Sequence, residues 1–408
     1  MRLTRVELEQ FRLYPSLTVD VPPAGLRVVG PNASGKSSLL EAVMMLATLR
    51  STRASSDRDA IRWGSGEDYG LPPFARIVGS VDLGDGQVTI EVSLEADPAS
   101  PGLKKRVVID GQPRRVVDAV GILTAVSFSP EDVSLAAGSP ANRRRYLDIV
   151  LSQTDRRYLL ALTRYGRILS QRNGLLRTLS KERAAPHADS TVAQLAFWDR
   201  ELVEVGVCLV ARRAIMTRRL NALAGERFRT LSRGTLLVSY QSSLVSTALD
   251  HLDGGSRVGD LEQVLARDWV ETLEATRAED IRRGVTTVGP QRDDVSMEVD
   301  GHPVGQFGSR GQQRLVVVAI KLGEATAIRE VTGQPPVMLL DDVFSELDER
   351  HVGQLIAGVG ELGCQLIVTS TERHRLETPV LAGLGWFETK GDDEGVSFTG
   401  TTGTIDRS

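Results

Sequence analysis

The sequence predicts an α/β fold interrupted by a long helical insertion, and three observations carry that prediction. Two short apolar strands, one toward each end of the chain, run into polar loops and then helices: "LRVVGPNASGKSSLLEAVMML" (26–46) and "PPVMLLDDVFSELDER" (335–350). Residues 74–128 alternate apolar and polar side chains, the period of a half-buried strand. From about Asn142 the period lengthens to that of an amphipathic helix. The 408 residues suffice for two ordinary domains with sizeable cores.

The N-terminal "MRLTRVELEQFRLY" alternates charged and apolar residues and lacks the apolar centre of a secretory signal. No apolar run reaches the ~18 residues of a membrane span, so a cytoplasmic chain without a membrane partner is expected. The loop after the first strand, Gly30 to Ser37, fits G-x-x-x-x-G-K-[ST]. Gly30 and Gly35 let the backbone wrap phosphates, with Pro31, Asn32, Ala33, Ser34 and Ser38 completing the loop. Lys36 reaches the β- and γ-phosphates of a nucleotide, and the Ser37 hydroxyl is suited to Mg²⁺.

Next come "RIVGSVDL", "VTIEVSLEA" and "RVVIDGQPRRVV", which read as antiparallel strands with a hairpin at Asp110 to Gln112. A helix is expected over Arg156 to Arg177. Leu159, Leu162, Tyr165, Leu169 and Leu176 share one side; Arg157, Arg164, Arg167 and Arg172 take the other. The following helix carries a heptad-like seam at Leu195, Trp198, Leu202, Val205, Leu209, Met216 and Leu223. Arginines at 212 and 219 are expected to open that seam. A third helix is expected from Leu261 to Arg283.

In "FGSRGQQRLVVVAIKLGE" (307–324) a polar turn precedes an apolar helix, and such a helix start favours an anion. The strand Val337 to Leu340 then ends in two aspartates. A carboxylate there needs a cation, so Asp341 is expected to hold Mg²⁺, and Asp342 sits where a general base would polarise the attacking water.

The net charge of −4 hides an asymmetry. Residues 140–233 hold 19 Lys and Arg against 8 Asp and Glu, a local +11 that leaves −15 for the rest. A DNA-facing surface is expected on this segment, with Arg143, Arg144, Arg157, Arg164, Arg167, Arg212 and Arg219 as candidates. Cys208 and Cys364 lack metal-ligand spacing and fit buried thiols.

Alongside a phosphate loop and a strand ending in two aspartates, the Ser-x-Gly-Gln-Gln helix start resembles the signature of ABC-class ATPases, and "SELD" (345–348) resembles their D-loop. That class places Ser309, Gly311 and Gln312 against the ATP of a partner copy, which implies an ATP-dependent homodimer. The expected architecture is an ABC-type P-loop ATPase head, split into 1–135 and 285–408. It is flanked by an antiparallel β-subdomain and interrupted by a helical arm, 136–284, containing a short coiled coil.

The chain is similar to the RecF family over nearly its full length. The resemblance rests on "FRLY" (11–14), "LLEAV" (39–43), "FSPEDVSLAAGSPANRRRYLD" (128–148), "QRNGLL" (171–176), "RRGVTTVGPQRDD" (282–294), "GSRGQQR" (308–314) and "LLDDVFSELD" (339–348). It implies an ATP-dependent dimer acting on single-stranded and gapped duplex DNA. Such a dimer works with RecO and RecR to load RecA on strands coated by SSB, in recombinational repair and the SOS response. The chain departs from the family pattern at Ala33, Ser37 and Gln291. No switch histidine follows the strand "QLIVTS", and no Q-loop glutamine is evident; His374 is expected at the surface. With Lys36 and Asp342 as the catalytic pair, slow hydrolysis is expected, because Asp342 is one methylene shorter than the usual glutamate. Two other readings predict different behaviour. A transporter ATPase would have a smaller helical subdomain without the basic arm, and a small-molecule kinase would have no signature block.

Overall fold

The computed structural model describes residues 1–54, 56–67, 70–97, 102–244, 246–250, 258–392 and 395–400. In chain order the first elements are β1 (Arg2–Phe11), β2 (Tyr14–Asp20), β3 (Gly25–Val29) and α1 (Lys36–Thr48). Then follow β4 (Phe74–Asp82), β5 (Gln87–Ala96), β6 (Leu103–Ile109), β7 (Gln112–Arg114), α2 (Val116–Ala119), β8 (Ala125–Phe128) and α3 (Val133–Ala137). The middle of the chain forms α4 (Pro140–Thr154), α5 (Arg156–Lys181), α6 (Asp189–Leu231), β9 (Leu236–Gln241), α7 (Thr247–Asp250), α8 (Val258–Arg283), β10 (Asp294–Val299), β11 (His302–Pro303) and α9 (Val304–Phe307). The last part forms α10 (Arg310–Thr332), β12 (Val337–Leu340), α11 (Val343–Glu346), α12 (Glu349–Glu361), β13 (Leu366–Ser370), α13 (Arg373–Leu376), β14 (Gly385–Asp392) and β15 (Gly395–Gly400).

These elements gather into two compact units, one of residues 1–136, 226–233 and 309–408, the other of 137–225 and 234–308. The division differs from the expected boundary at 284/285: residues 285–308 pack with the insertion, and the end of α6 packs with the head. The reason is a small sheet. β10 pairs with β9 across Asp294↔Gln241 to Val299↔Leu236, which draws the segment after α8 back onto the insertion.

The head contains two six-stranded sheets. In the first, order β2-β1-β4-β5-β6-β7, every pairing is antiparallel. Its hairpin at Asp110-Gly111 has positive φ at both residues, 49° and 74°, the backbone that a two-residue turn between twisted strands requires. The expected "RRVV" strand stops at Arg114, and Val116 opens α2 instead. The second sheet, order β15-β14-β3-β13-β12-β8, is parallel except at its β15 edge. Its central strands are buried on both faces and correspondingly apolar, "VMLL" and "LIVTS" being buried throughout. The loops after β3, β12 and β8 leave this sheet at its carboxyl end, where open α/β sheets collect their functional groups.

The second unit is helical with a three-stranded sheet, β11-β10-β9, that sequence reasoning did not anticipate. The buried stripe of α5 is Tyr158, Ala161, Tyr165, Ile168, Arg172, Leu176 and Leu179. It is offset from the expected one, and Leu159, Leu162 and Leu169 are only half-buried. Arg172 was expected on the solvent side but is fully buried. Its Nε donates to Asp199 (2.7 Å), and its Nη1 donates to Asp280 (2.8 Å) and Thr286 (2.8 Å). In α6 the seam residues Leu195, Leu202, Val205, Leu209 and Met216 are buried, while Trp198 and Leu223 are half-buried. The seam does not open at Arg212, because Asp155 and Glu262 close around its guanidinium.

Candidate nucleotide site and arm surface

The phosphate loop is shaped by what surrounds it. A Cβ on Gly30 would lie 1.9 Å from the Thr389 hydroxyl, and one on Gly35 would lie 2.6 Å from the Tyr14 hydroxyl. Gly35 also adopts φ +91°, and Ala33 adopts φ +63°. The Tyr14 hydroxyl donates to the Gly35 carbonyl (2.8 Å), while Ser34 and Thr389 share a hydroxyl hydrogen bond of 2.6 Å. α1 begins at Lys36 with no side-chain cap, so its first N–H groups remain available to an anion. Behind the loop, Arg12 makes a two-pronged pair with the buried Glu41 (2.7 and 2.9 Å), and Ser51 donates to the same carboxylate (2.6 Å).

Lys36 is buried, and its ammonium donates to the carbonyls of Gly30 (2.8 Å) and Pro31 (2.7 Å). Burial lowers its pKa from the ordinary lysine value, against the opposing pull of Asp342 and Asp341. A buried cation resting on two loop carbonyls, beside open helix N–H groups, fits the phosphates of a nucleotide.

Asp341 sits at the end of β12, with its backbone N–H on the Phe128 carbonyl of β8 (2.8 Å). Its side chain is 7% exposed. One carboxylate oxygen accepts from the buried Thr369 hydroxyl (2.8 Å), and the other accepts from Arg53 Nη1 (2.9 Å). Arg53 Nη2 also reaches Glu131 (3.3 Å), just beyond β8. A buried carboxylate already paired with a cation is chemically suited to a divalent ion. Asp342 adopts φ +48°, donates its backbone N–H to the Thr369 hydroxyl (3.0 Å) and accepts from the Ser345 hydroxyl at its carboxylate (3.0 Å).

Ser309 caps α10 in a reciprocal box: Gln312 N donates to Ser309 Oγ (3.2 Å), and Ser309 N donates to Gln312 Oε1 (3.0 Å). A Cβ on Gly311 would meet only Ser309 Oγ, at 3.9 Å, so packing within the chain does not demand glycine there. Arg314 on α10 pairs with Glu346 of α11, tying the start of α10 to the segment after β12. His374 lies at the surface beside Glu372. Among the described residues no group of three or more His, Cys, Asp and Glu side chains is placed to hold a metal ion, and no helix is long and apolar enough to cross a membrane.

Most of the arm arginines meet carboxylates or carbonyls. Arg143 is bidentate on Asp294 (2.7 and 2.9 Å), and Arg144 donates to the Asp293 carbonyl (2.7 Å). Arg157 pairs with Glu262 (3.1 Å), and Arg164 pairs with Glu201 (2.5 Å) and Glu204 (3.2 Å). Arg219 is half-buried, whereas Arg167 is exposed. Counting charges along 140–233 overstated the arm's free positive charge, because three of the neutralising acids, Glu262, Asp280 and Asp294, arrive from beyond residue 233.

Sequence reasoning missed Tyr14, Arg53, Glu131, Thr369 and Thr389. Tyr14 lies in "FRLY" without a role being given to it, and Glu131 left a local signal in "AVSFSPED", just past an apolar strand parallel to β12.

The model for the RecF/RecN/SMC N-terminal domain matches residues 2–383. A DNA replication and repair protein RecF from Thermomicrobium roseum is 44% identical over 95% of this chain and 98% of its own length. One from Chloroflexus aurantiacus is 42% identical over 92% of this chain and 94% of its own. Among solved structures, the recombination mediator RecF with ATPrS, of the RecFOR pathway, aligns with a TM-score of 0.78 at 26% identity, over 97% of this chain and 98% of that one. An SMC head bound to the winged-helix domain of ScpA shares the fold, with a TM-score of 0.52 at 14% identity. The transporter alternative finds no support in these relationships. From its end-to-end kinship, the chain belongs to the RecF family of DNA replication and repair proteins.

Proposed function

We propose that this chain is an ATP- and Mg²⁺-dependent switch that closes as a homodimer on gapped or single-stranded DNA. The observation that carries this reading is the grouping of three features in the head: a phosphate loop ending in uncapped helix N–H groups, Asp341 with Asp342 at the β12 carboxyl end, and the capped α10 terminus. Residues Gly30 to Ser38 wrap the phosphates, and Lys36 moves from the loop carbonyls to the phosphate oxygens. Mg²⁺, when bound through Ser37 and Asp341, neutralises the charge that develops on those oxygens. Asp342 orients the attacking water, and its short reach makes turnover slow. Ser309, Gly311 and Gln312 serve the nucleotide of the second copy, with the open space at Gly311 admitting its phosphates.

The DNA surface is assigned to the arm, centred on Arg167 with Arg164 beside it. Arg143, Arg144, Arg157, Arg212 and Arg219 contribute where phosphates displace their present partners. Family resemblance supplies RecO and RecR as partners and RecA as the beneficiary, in a cytoplasmic setting. The test is retention on gapped duplex against blunt duplex, with and without ATP. Retention that is gap-selective and ATP-dependent is expected; binding indifferent to ATP would remove the switch.

A further inference from the structure

We propose that Arg53 is a resident cation of the Asp341 carboxylate, which the divalent ion accompanying a nucleotide must displace, and that Glu131 receives the guanidinium when it leaves. This rests on the nucleotide reading above and adds a residue that competes with the metal.

Both oxygens of Asp341 are engaged. Thr369, itself fully buried, donates to Oδ1, and Arg53 donates to Oδ2. Thr369 is fixed in β13, the strand beside β12, so it stays in place. Oδ2 is therefore the oxygen a metal would take, and the guanidinium is what occupies it. A +1 group and a +2 ion cannot share that oxygen without strong repulsion across a poorly solvated site.

Arg53 is built to hold this position and also to leave it. A serine turn places it: the Ser51 hydroxyl accepts from the backbone N–H groups of Arg53 (3.3 Å) and Ala54 (2.9 Å), and Ser51 N donates to Asp57 (2.7 Å). The side chain is 36% exposed, unlike its buried acceptor. Its second arm already rests on Glu131, whose side chain is 69% exposed. The fork thus spans a buried and a solvated carboxylate at the ends of two adjacent parallel strands. Release from Asp341 leaves a pairing intact, so the guanidinium is not stranded.

The experiment follows fluorescence of a mant-labelled ATP on the full chain while Mg²⁺ is varied, with thermal unfolding confirming each variant's fold. Arg53→Gln should lower the Mg²⁺ midpoint about five- to tenfold, the scale of a part-exposed ion pair converted to affinity. Its nucleotide affinity in EDTA should change less than about twofold, since no ion then competes. Arg53→Lys keeps the cation and should stay near wild type. Glu131→Gln removes the receiving carboxylate and should raise the midpoint. A midpoint that Arg53→Gln leaves unchanged or raises overturns the competition, as would a Lys variant shifted as far as Gln. Wild-type protein showing no Mg²⁺-dependent nucleotide binding would instead overturn the nucleotide reading beneath it.

Discussion

Replacing Arg172 by methionine is the sharpest test of how the arm is built. The wild-type guanidinium has no exposed surface and bridges Asp199 on α6 to Asp280 near the end of α8. Methionine fills much of the volume but leaves two carboxylates facing each other. Removing one partner of a buried pair typically costs about 3–5 kcal/mol. Two features place the cost near the lower end. Asp280 Oδ1 keeps the backbone N–H (2.9 Å) and hydroxyl (2.6 Å) of Thr287, and Asp199 remains 18% exposed to water. Arg172 also has a buried Nη2 with no acceptor, so the native pairing is not ideal to begin with. A loss of about 3 kcal/mol corresponds to about 6–12 °C in Tm for a domain of roughly 150–250 residues. Calorimetry of the full chain would resolve this, provided the arm transition is followed separately from the head. Adding Asp280→Asn to the methionine variant should recover part of the loss, since an uncharged amide tolerates burial better. A drop under about 1 kcal/mol would match an exposed arginine and refute the buried-bridge account.

Four further outcomes follow from the site and the arm. Ser309→Arg should abolish ATP-dependent dimers in sedimentation while monomer nucleotide binding persists; a variant that still dimerises sinks the shared site. Asp342→Asn should keep ATP-dependent dimers and trap them, and a wild-type turnover of tens per second would contradict the slow-switch reading. Arg167→Ala should flatten the log–log salt dependence of DNA binding by about two units in a dimer, at roughly −0.9 per phosphate contact, whereas Arg164→Ala should change it less because Glu201 and Glu204 already hold that side chain. Burial raises the Asp293 pKa above 3.8, so the folded chain holds that proton more tightly than the unfolded one. The stability this group contributes is present at low pH and lost as pH rises through the folded value, so wild type should gain on Asp293→Asn as pH falls from 7 toward 4. An unfolding series showing the opposite slope would remove that assignment.

What could be read from the sequence follows the range of the interactions involved. The phosphate loop, the β12 strand and the α10 start are local patterns, and each lies where its residues place it. The Asp110-Gly111 hairpin was equally local. Arg172 was misread because a helical wheel treats any arginine as solvent-facing, and its acids are distant in sequence, at 199 and 280. The small sheet left signals, alternation in "LLVSYQ" and a two-residue turn at Asp300-Gly301 with φ of 52° and 78°. Those signals were outweighed by the helical periodicity around them. Thr369 and Thr389 carry no motif. They matter because the parallel sheet brings Thr389 beside the loop and Thr369 beside Asp341, and strand order is not written in any single segment.

The strand that launches the phosphate loop has both of its neighbours, β13 and β14, in the last part of the chain. On the ribosome, β3 emerges early and must wait until Leu366 and beyond have been made, about 15–70 s at ~5–20 residues per second. Through that interval the arm can finish folding from contiguous chain, while β3 offers two unpaired edges to any passing strand. A chain cut short before β13 would therefore keep an intact phosphate-loop sequence and yet have no sheet in which to hold it. For this fold, synthesis to near the C-terminus is itself the checkpoint that precedes nucleotide binding.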